Sequence, residues 1–283
     1  MPLASINGVQ IYYQITGEGF PLVLCHEFAG SHESWEEQVR FFSSRYSVIT
    51  YNARGYPPSE VPTELDAYSQ EQHVEDLYGL LNHLGIDEAY ICGLSMGANM
   101  ALHFGILHPE KARALVVAGG GYGGTERDKF RLQSLENAKI IESGGMDAFS
   151  DYARGPARVQ LFRKNPIAWE KFAKLFADHS ALGSSLTLRG VQASRPTVND
   201  LEEGMRKLNI PTLILVGDED DLSVEPSLFM KRCIRKSGLF VFPQTGHTIN
   251  LEEPELFDGA ILNFLIACES GSWAERDASS GMP

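Results

Sequence analysis

Hydrophobic positions along the chain follow two periods in turn. Short apolar runs occur at Leu22–Cys25, Ser47–Tyr51, Ala89–Leu94, Ala114–Ala118, Thr212–Val216 and Leu239–Phe242. Runs without polar alternation predict strands covered on both faces. Helical spacing fills the intervals at Trp35–Phe42, Ser69–Leu84, Ala98–Leu107, Val224–Ile234 and Pro254–Ile266. In Ser69–Leu84, for example, Val74, Leu77, Leu80, Leu81 and Leu84 fall on one face. Leu3–Ile6 and Val9–Ile15, joined at Gly8, predict an antiparallel opening pair. The repeated alternation of strand and helix implies right-handed parallel crossovers. The expected class is α/β, with a mostly parallel central sheet and helices on both faces.

The rhythm changes between Gly119 and Lys207, where no strand pattern is present. Gly119–Gly124 (GGGYGG) reads as a flexible exit. Helical stretches follow at Glu126–Ser143, Met146–Arg154, Pro166–His179 and Asp200–Leu208. The expected organisation is a core in two parts, 1–124 and 208–268, interrupted by a helical cap at 125–207. The polar Ser- and Gly-containing segment 269–283 is expected to be a disordered tail.

Composition narrows the function. The chain has 283 residues, enough for a sizeable core without staples, and a net charge of -13 with dispersed Lys and Arg. Nucleic acid and anionic membranes both need a positive surface, so neither is an expected partner. Cys25, Cys92, Cys233 and Cys268 show no C-x-x-C spacing and read as reduced, mostly buried thiols. The opening MPLASINGVQ lacks a signal-peptide pattern, and a cytoplasmic location is expected. No apolar run approaches a membrane span. No residue pattern specifies an oligomeric state.

One strand-to-helix junction carries chemistry. Gly93-Leu94-Ser95-Met96-Gly97 joins the strand Ala89–Leu94 to the helix after it. Glycine two residues before and after the serine permits a tight turn, which lifts Ser95 out at the sheet edge beside a helix N-terminus. A serine hydroxyl needs a base, and the base needs an orienting carboxylate. His247 follows the last strand, and Asp220 follows Thr212–Val216; Asp218, Glu219 and Asp221 are its competitors. Both would reach the edge that holds Ser95. No metal-ligand spacing and no dinucleotide loop is present, so no cofactor and no metal is expected.

Four ordered blocks resemble the α/β-hydrolase fold over roughly 8–268: Leu24–Ser31 (LCHEFAGS), Tyr51–Ser59 (YNARGYPPS), the Ser95 elbow, and the pair Gly217–Asp220 and Gly246–Pro254. The resemblance is to the esterase, enol-lactonase and C–C hydrolase branch of these serine hydrolases. It implies Ser95 as nucleophile, Asp220 as acid and His247 as base. It also implies an oxyanion hole made by the backbone N–H groups of Phe28 and Met96. Some relatives carry the acid one strand earlier, but the loop after Ala118 has no carboxylate before Glu126.

Two positions depart from the family pattern. Asn52 stands where Asp is usual, and Glu27 stands where Gly usually follows the first histidine. Glu27 has two readings: a carboxylate turned away and paired with a cation such as Arg54, which is preferred, or a second acid/base group beside the nucleophile. His26 is expected to brace the oxyanion loop. Further candidates to line the site are Tyr152, Arg158, Arg163, Trp169, His179, Arg189 and Arg195, and one of the arginines could hold a substrate carboxylate. Serine in place of aspartate at the elbow disfavours dehalogenase and epoxide-hydrolase chemistry. The expected partner is a small-molecule substrate, a carboxylic ester or lactone. The alternatives are C–C bond hydrolysis of a diketone with the same residues, or a non-catalytic ligand receptor.

Overall fold

Residues 22–25 show how the sheet is built, because successive side chains point to opposite faces. Leu22 and Leu24 belong to one buried cluster, Val23 and Cys25 to another. The computed structural model describes residues 2–121, 127–275 and 277. Among them, eight strands form one sheet in the order β1-β2-β4-β3-β5-β6-β7-β8. The strands are β1 Leu3–Ile6, β2 Val9–Thr16, β3 Phe20–Cys25, β4 Tyr46–Tyr51, β5 Ala89–Leu94, β6 Ala112–Ala118, β7 Thr212–Gly217 and β8 Ser237–Phe242. β2 runs antiparallel to β1 and β4, and every other pairing is parallel.

Helices cover both faces, as the apolar strands require. On one face lie α2 Gln70–His83, α3 Met96–Leu107 and α9 Asp221–Cys233, through Leu77, Leu80, Phe104 and Met230. On the other lie α1 Glu36–Phe42, α10 Ile249–Glu252 and α11 Pro254–Glu269, through Phe42, Ile249, Phe257, Ile261 and Phe264. Each such side chain taken from water contributes roughly 1.5–3 kcal/mol. No helix of the described residues is long and apolar enough to cross a membrane.

The chain leaves β3 toward β4 and later crosses to β5 on the opposite side of β3. Such a reversal opens a crevice at the carboxyl ends of the strands. Phe28 follows β3 and Ser95 follows β5, so both stand at that crevice.

Among the described residues between β6 and β7 the regular elements are helical: α4 Arg127–Ala148, α5 Val159–Lys164, α6 Pro166–Ala177, α7 Ala181–Thr187 and α8 Glu202–Lys207, with shorter 3-10 and π pieces. Two expectations are corrected here. Met146–Arg154 is not one helix: the α-helix ends at Ala148 and Ser150–Arg154 is a 3-10 helix, while the kink at Gly145 (φ 71°) falls between the two expected stretches. Ala181–Gln192, which carried no helix expectation, forms α7 and a π-helix at Leu188–Gln192. Its glycines serve close packing. A Cβ on Gly183 would sit 1.9 Å from the Gly55 carbonyl oxygen, and one on Gly190 2.2 Å from that of Tyr68.

Part of the expected disordered tail is built into the fold. Glu269 closes α11, and the Trp273 ring packs edge-on against Phe264 at 4.6 Å and donates Nε1–H to the Lys236 carbonyl at 2.8 Å. Residues 276 and 278–283 lie outside the described residues, as do 122–126 of the expected flexible exit.

Candidate active site

Ser95 sits in a backbone conformation that side chains other than glycine seldom adopt, φ 55° and ψ −108°. The turn is held by Ser95 N–H donating to the Ala118 carbonyl at 2.8 Å, and by Asn99 Nδ2 donating to the Ser95 carbonyl at 2.8 Å. Both flanking glycines are sterically required. A Cβ on Gly93 would lie 2.0 Å from the Gly97 oxygen, and one on Gly97 2.0 Å from the Cys25 oxygen. The elbow therefore packs backbone on backbone, and strain at Ser95 is the consequence.

His247 is brought to the same edge by a braced loop. The Glu252 carboxylate accepts from Gly246 N–H at 2.6 Å, Thr248 N–H at 3.1 Å and Thr248 Oγ1 at 2.9 Å. His247 Nδ1 and Asp220 Oδ2 lie 2.6 Å apart. With Nδ1–H donating to that carboxylate, Nε2 is left as an acceptor. The competing acids have other partners: Asp218 accepts from Thr245 N–H at 3.1 Å, and Glu219 bonds Gln160. Asp221 opens α9.

The two charges support each other. Burial disfavours the imidazolium, but the Asp220 carboxylate outweighs it and lifts His247 above its usual 6.5. Burial alone would raise the Asp220 carboxyl; His247, Ser223 and Arg158 outweigh it and hold the group below the usual carboxylate range. Gly119, at φ 57°, passes beside the pair, and a Cβ there would touch the His247 ring at 3.4 Å.

Ser95, Asp220 and His247 line one cavity of about 170 Å³ together with Phe28 and Tyr152. Met96 opens α3, so its N–H is one of the first-turn donors with no acceptor inside the helix. Tyr56 Oη donates to the Phe28 carbonyl at 2.8 Å and holds the peptide that follows the Phe28 N–H. His26 braces the loop. It donates Nδ1–H to the Glu27 carbonyl at 2.7 Å and accepts from Ala53 N–H at 3.0 Å. Burial keeps it neutral, pushed down to about 3. Asn52 accepts from His32 N–H at 2.8 Å and steadies the same corner.

Glu27 is turned into protein, but not toward Arg54. Arg54 is taken by Asp76, with contacts of 2.6 and 2.7 Å. The partner of Glu27 is Arg158, from the 3-10 turn Pro156–Arg158 of the helical segment. Both are buried, and neither lines the cavity.

Of the other expected lining residues, Tyr152 and Arg195 line the cavity. Four do not. Arg163 is exposed, and Trp169 donates to the Ala153 carbonyl at 2.7 Å. His179 packs edge-on to Tyr56 at 5.3 Å, where burial pushes it down to about 4. Arg189 pairs with Glu142 at 2.7 Å. In their place the wall is made by Asn99, Phe130, Gln133, Ser134, Asn137, Leu188 and Gln192. Gln192 is 5% exposed, and its Oε1 has no hydrogen-bond partner. Part of the signal was present in the sequence: Phe130, Gln133, Ser134 and Asn137 share one helical face, mostly polar, that borders the cavity, and Asn99 is one turn after Ser95.

The family model for the alpha/beta hydrolase fold matches residues 21–254. The chain belongs to that family. Among curated proteins it is similar to 3-oxoadipate enol-lactonase 1 of Acinetobacter baylyi, 27% identical over 260 residues, covering 90% of this chain and 92% of the relative. Among solved structures it resembles an enol-lactonase from Burkholderia xenovorans LB400, with TM-score 0.84, 22% identity, and 94% and 100% of the two chains covered. That likeness is one of fold. A thermophilic esterase from Thermogutta terrifontis, solved with malate bound, gives TM-score 0.84 at 25% identity, with 94% and 98% covered. In this alpha/beta-hydrolase-fold chain, Ser95, Asp220 and His247 line one cavity.

Proposed function

We propose that this hydrolase cleaves a small carboxylic ester or lactone through an acyl-enzyme on Ser95. The observation that carries the reading is the 2.6 Å contact between Asp220 and His247 at the cavity that Ser95 also lines. In this mechanism His247 Nε2 takes the Ser95 Oγ proton as the oxygen attacks the substrate carbonyl. The oxyanion forms against the N–H groups of Phe28 and Met96, where each donor is worth about 3 kcal/mol of barrier. The C–O bond to the leaving alcohol then breaks, and the His247 imidazolium protonates that oxygen. Water, deprotonated by His247, attacks the acyl-enzyme, releasing the acid and restoring Ser95. With a lactone the leaving oxygen stays tethered to the acyl chain through both steps, and a single hydroxy acid, or its keto form from an enol lactone, is released.

The segment 125–207 acts as the cap, and its described residues, from 127 on, supply most of the specificity wall. The amides of Asn99, Gln133, Asn137 and Gln192, with the positive charge of Arg195, suit an acyl group that ends in a polar or anionic function. The cavity volume lies below the usual range for drug-sized ligands, which favours a small substrate. The names of the enol-lactonase and esterase relatives point the same way.

The test is a panel of small esters, lactones and 1,3-diketones assayed against the wild type and Ser95→Ala. Turnover of an ester or lactone by the wild type, lost in Ser95→Ala, is expected. Turnover confined to diketones would replace the reading with C–C hydrolysis. Equal turnover by the variant would refute it.

A further inference from the structure

The carboxylate of Glu27 precedes Phe28, the residue whose N–H is assigned to the oxyanion. It is 2% exposed, one oxygen accepts from Arg158 Nη2, and the other is buried without a hydrogen-bond partner. Arg158 is 1% exposed, lies 131 residues away in the chain, and stacks its guanidinium over the Phe172 ring at 4.9 Å and the Tyr152 ring at 5.6 Å. Burying two charges is costly, and a well-packed apolar pair of similar volume is often at least as stable. Stability alone therefore does not account for this pair.

We propose that Arg158 is a positioning residue for the reaction: it neutralises Glu27 and holds that carboxylate away from the Phe28 N–H, so that an anion can form there only with the helical segment docked. The proposal rests on Ser95 as nucleophile and Phe28 as an oxyanion donor. Without Arg158 a buried negative charge would stand next to a developing negative charge, in surroundings where water screens little. The pair also bears on His247. The charges acting on that ring are Asp220 from the loop after β7, Glu27 from the loop after β3 and Arg158 from the helical segment. Glu252 stands behind the ring, holding its loop. Glu27 favours the imidazolium and Arg158 opposes it, so removing one or the other moves the His247 titration in opposite directions.

The experiment compares Arg158→Met, Arg158→Lys, Glu27→Gln and the double variant Glu27→Gln/Arg158→Met by pH-resolved kinetics on an ester that the wild type turns over. Arg158→Met is expected to lose roughly 100-fold in kcat with KM little changed, the size of effect seen when an oxyanion donor is disabled. Its acid limb should move to higher pH. Glu27→Gln should move that limb to lower pH. The double variant should recover most of kcat with the limb back near the wild-type position, and Arg158→Lys should keep the wild-type profile.

Wild-type kcat and profile in Arg158→Met would overturn the proposal. So would a loss in Arg158→Met that the double variant does not recover, since that outcome marks a purely structural pair. Where Arg158→Met yields no folded protein, Glu27→Gln decides: an acid limb superimposable on the wild type overturns the proposal. Ser95→Ala in the same assay reports separately on the nucleophile, so failure of one reading is not mistaken for failure of the other.

Discussion

Asp220 Oδ2 lies 2.6 Å from His247 Nδ1, and this contact fixes which ring nitrogen is left to act as a base. Asp220→Asn would present an amide in place of the carboxylate and favour the wrong tautomer. A loss of roughly 10³–10⁴-fold in kcat with KM nearly unchanged is expected. Steady-state kinetics on a turned-over ester would show it; a loss under tenfold would mean that Asp220 is not the orienting acid.

The same contact sets the pH dependence. His247 must be neutral to take the Ser95 proton, and Asp220 lifts its pKa above 6.5. Activity is therefore expected to rise with pH through a value above 6.5 and to fall off on the acid side. A kcat/KM profile whose acid limb lies below 6.5 would contradict the assigned charge balance.

Two glycine-to-alanine changes should have opposite signs. Gly97→Ala places a Cβ 2.0 Å from the Cys25 oxygen, and a loss of about 3 kcal/mol or more is expected from overpacking backbone on backbone. Gly259 lies within α11 with nothing within 4 Å of its would-be Cβ, so Gly259→Ala should stabilise by about 0.5–1 kcal/mol. Chemical denaturation of both variants checks the contrast. Destabilisation by Gly259→Ala would show that its open face is needed.

Asp258 gives a stability prediction with a definite sign. Burial, aided by the nearby Glu37, pushes its carboxyl from 3.8 to about 6, against a hydrogen bond from Gln38. The native state then binds the proton more tightly than the unfolded chain. The stability this contributes is present below 3.8 and lost as pH rises through about 6. Asp258→Asn keeps an oxygen for Gln38 without the charge, so it should raise Tm at pH near 7.5, with the advantage shrinking near pH 4.5. An offset of equal size at both pH values would rule this out.

Gln192 tests the specificity wall. Gln192→Leu removes a buried acceptor that faces the cavity, and KM for a polar-ended ester should rise roughly tenfold, the effect of about 1.5 kcal/mol. The KM of an apolar ester of the same length should not rise. A parallel rise for both would place Gln192 in packing and not in recognition.

These expectations differ in how far the chain alone reveals them. Buried strands such as Ala89–Leu94 and amphipathic helices such as Ser69–Leu84 were legible because periodicity reports burial directly. That Ser95, Asp220 and His247 meet at one cavity was legible because a strand end, a glycine and a reactive side chain sit together in the chain. The helices around Gly183 and Gly190 were not, because glycine disfavours a helix interior, whereas these two allow close backbone contact with Gly55 and Tyr68. The partner of Glu27 was hidden for a related reason. Arg54 and Arg158 carry the same charge, and only the fold shows that Asp76 already occupies the first. Long-range pairing of surface-type residues inside a protein leaves no local pattern.

The central claim is covalent chemistry at Ser95, and intact-protein mass spectrometry tests it most directly. The wild type, mixed with p-nitrophenyl acetate and quenched in acid during the burst, should carry one added acetyl group. That group should map to the peptide containing Ser95, and Ser95→Ala should neither acquire it nor turn over the ester. Ester hydrolysis that persists in Ser95→Ala, or an acyl group found on another residue while Ser95 stays unmodified, would contradict the account.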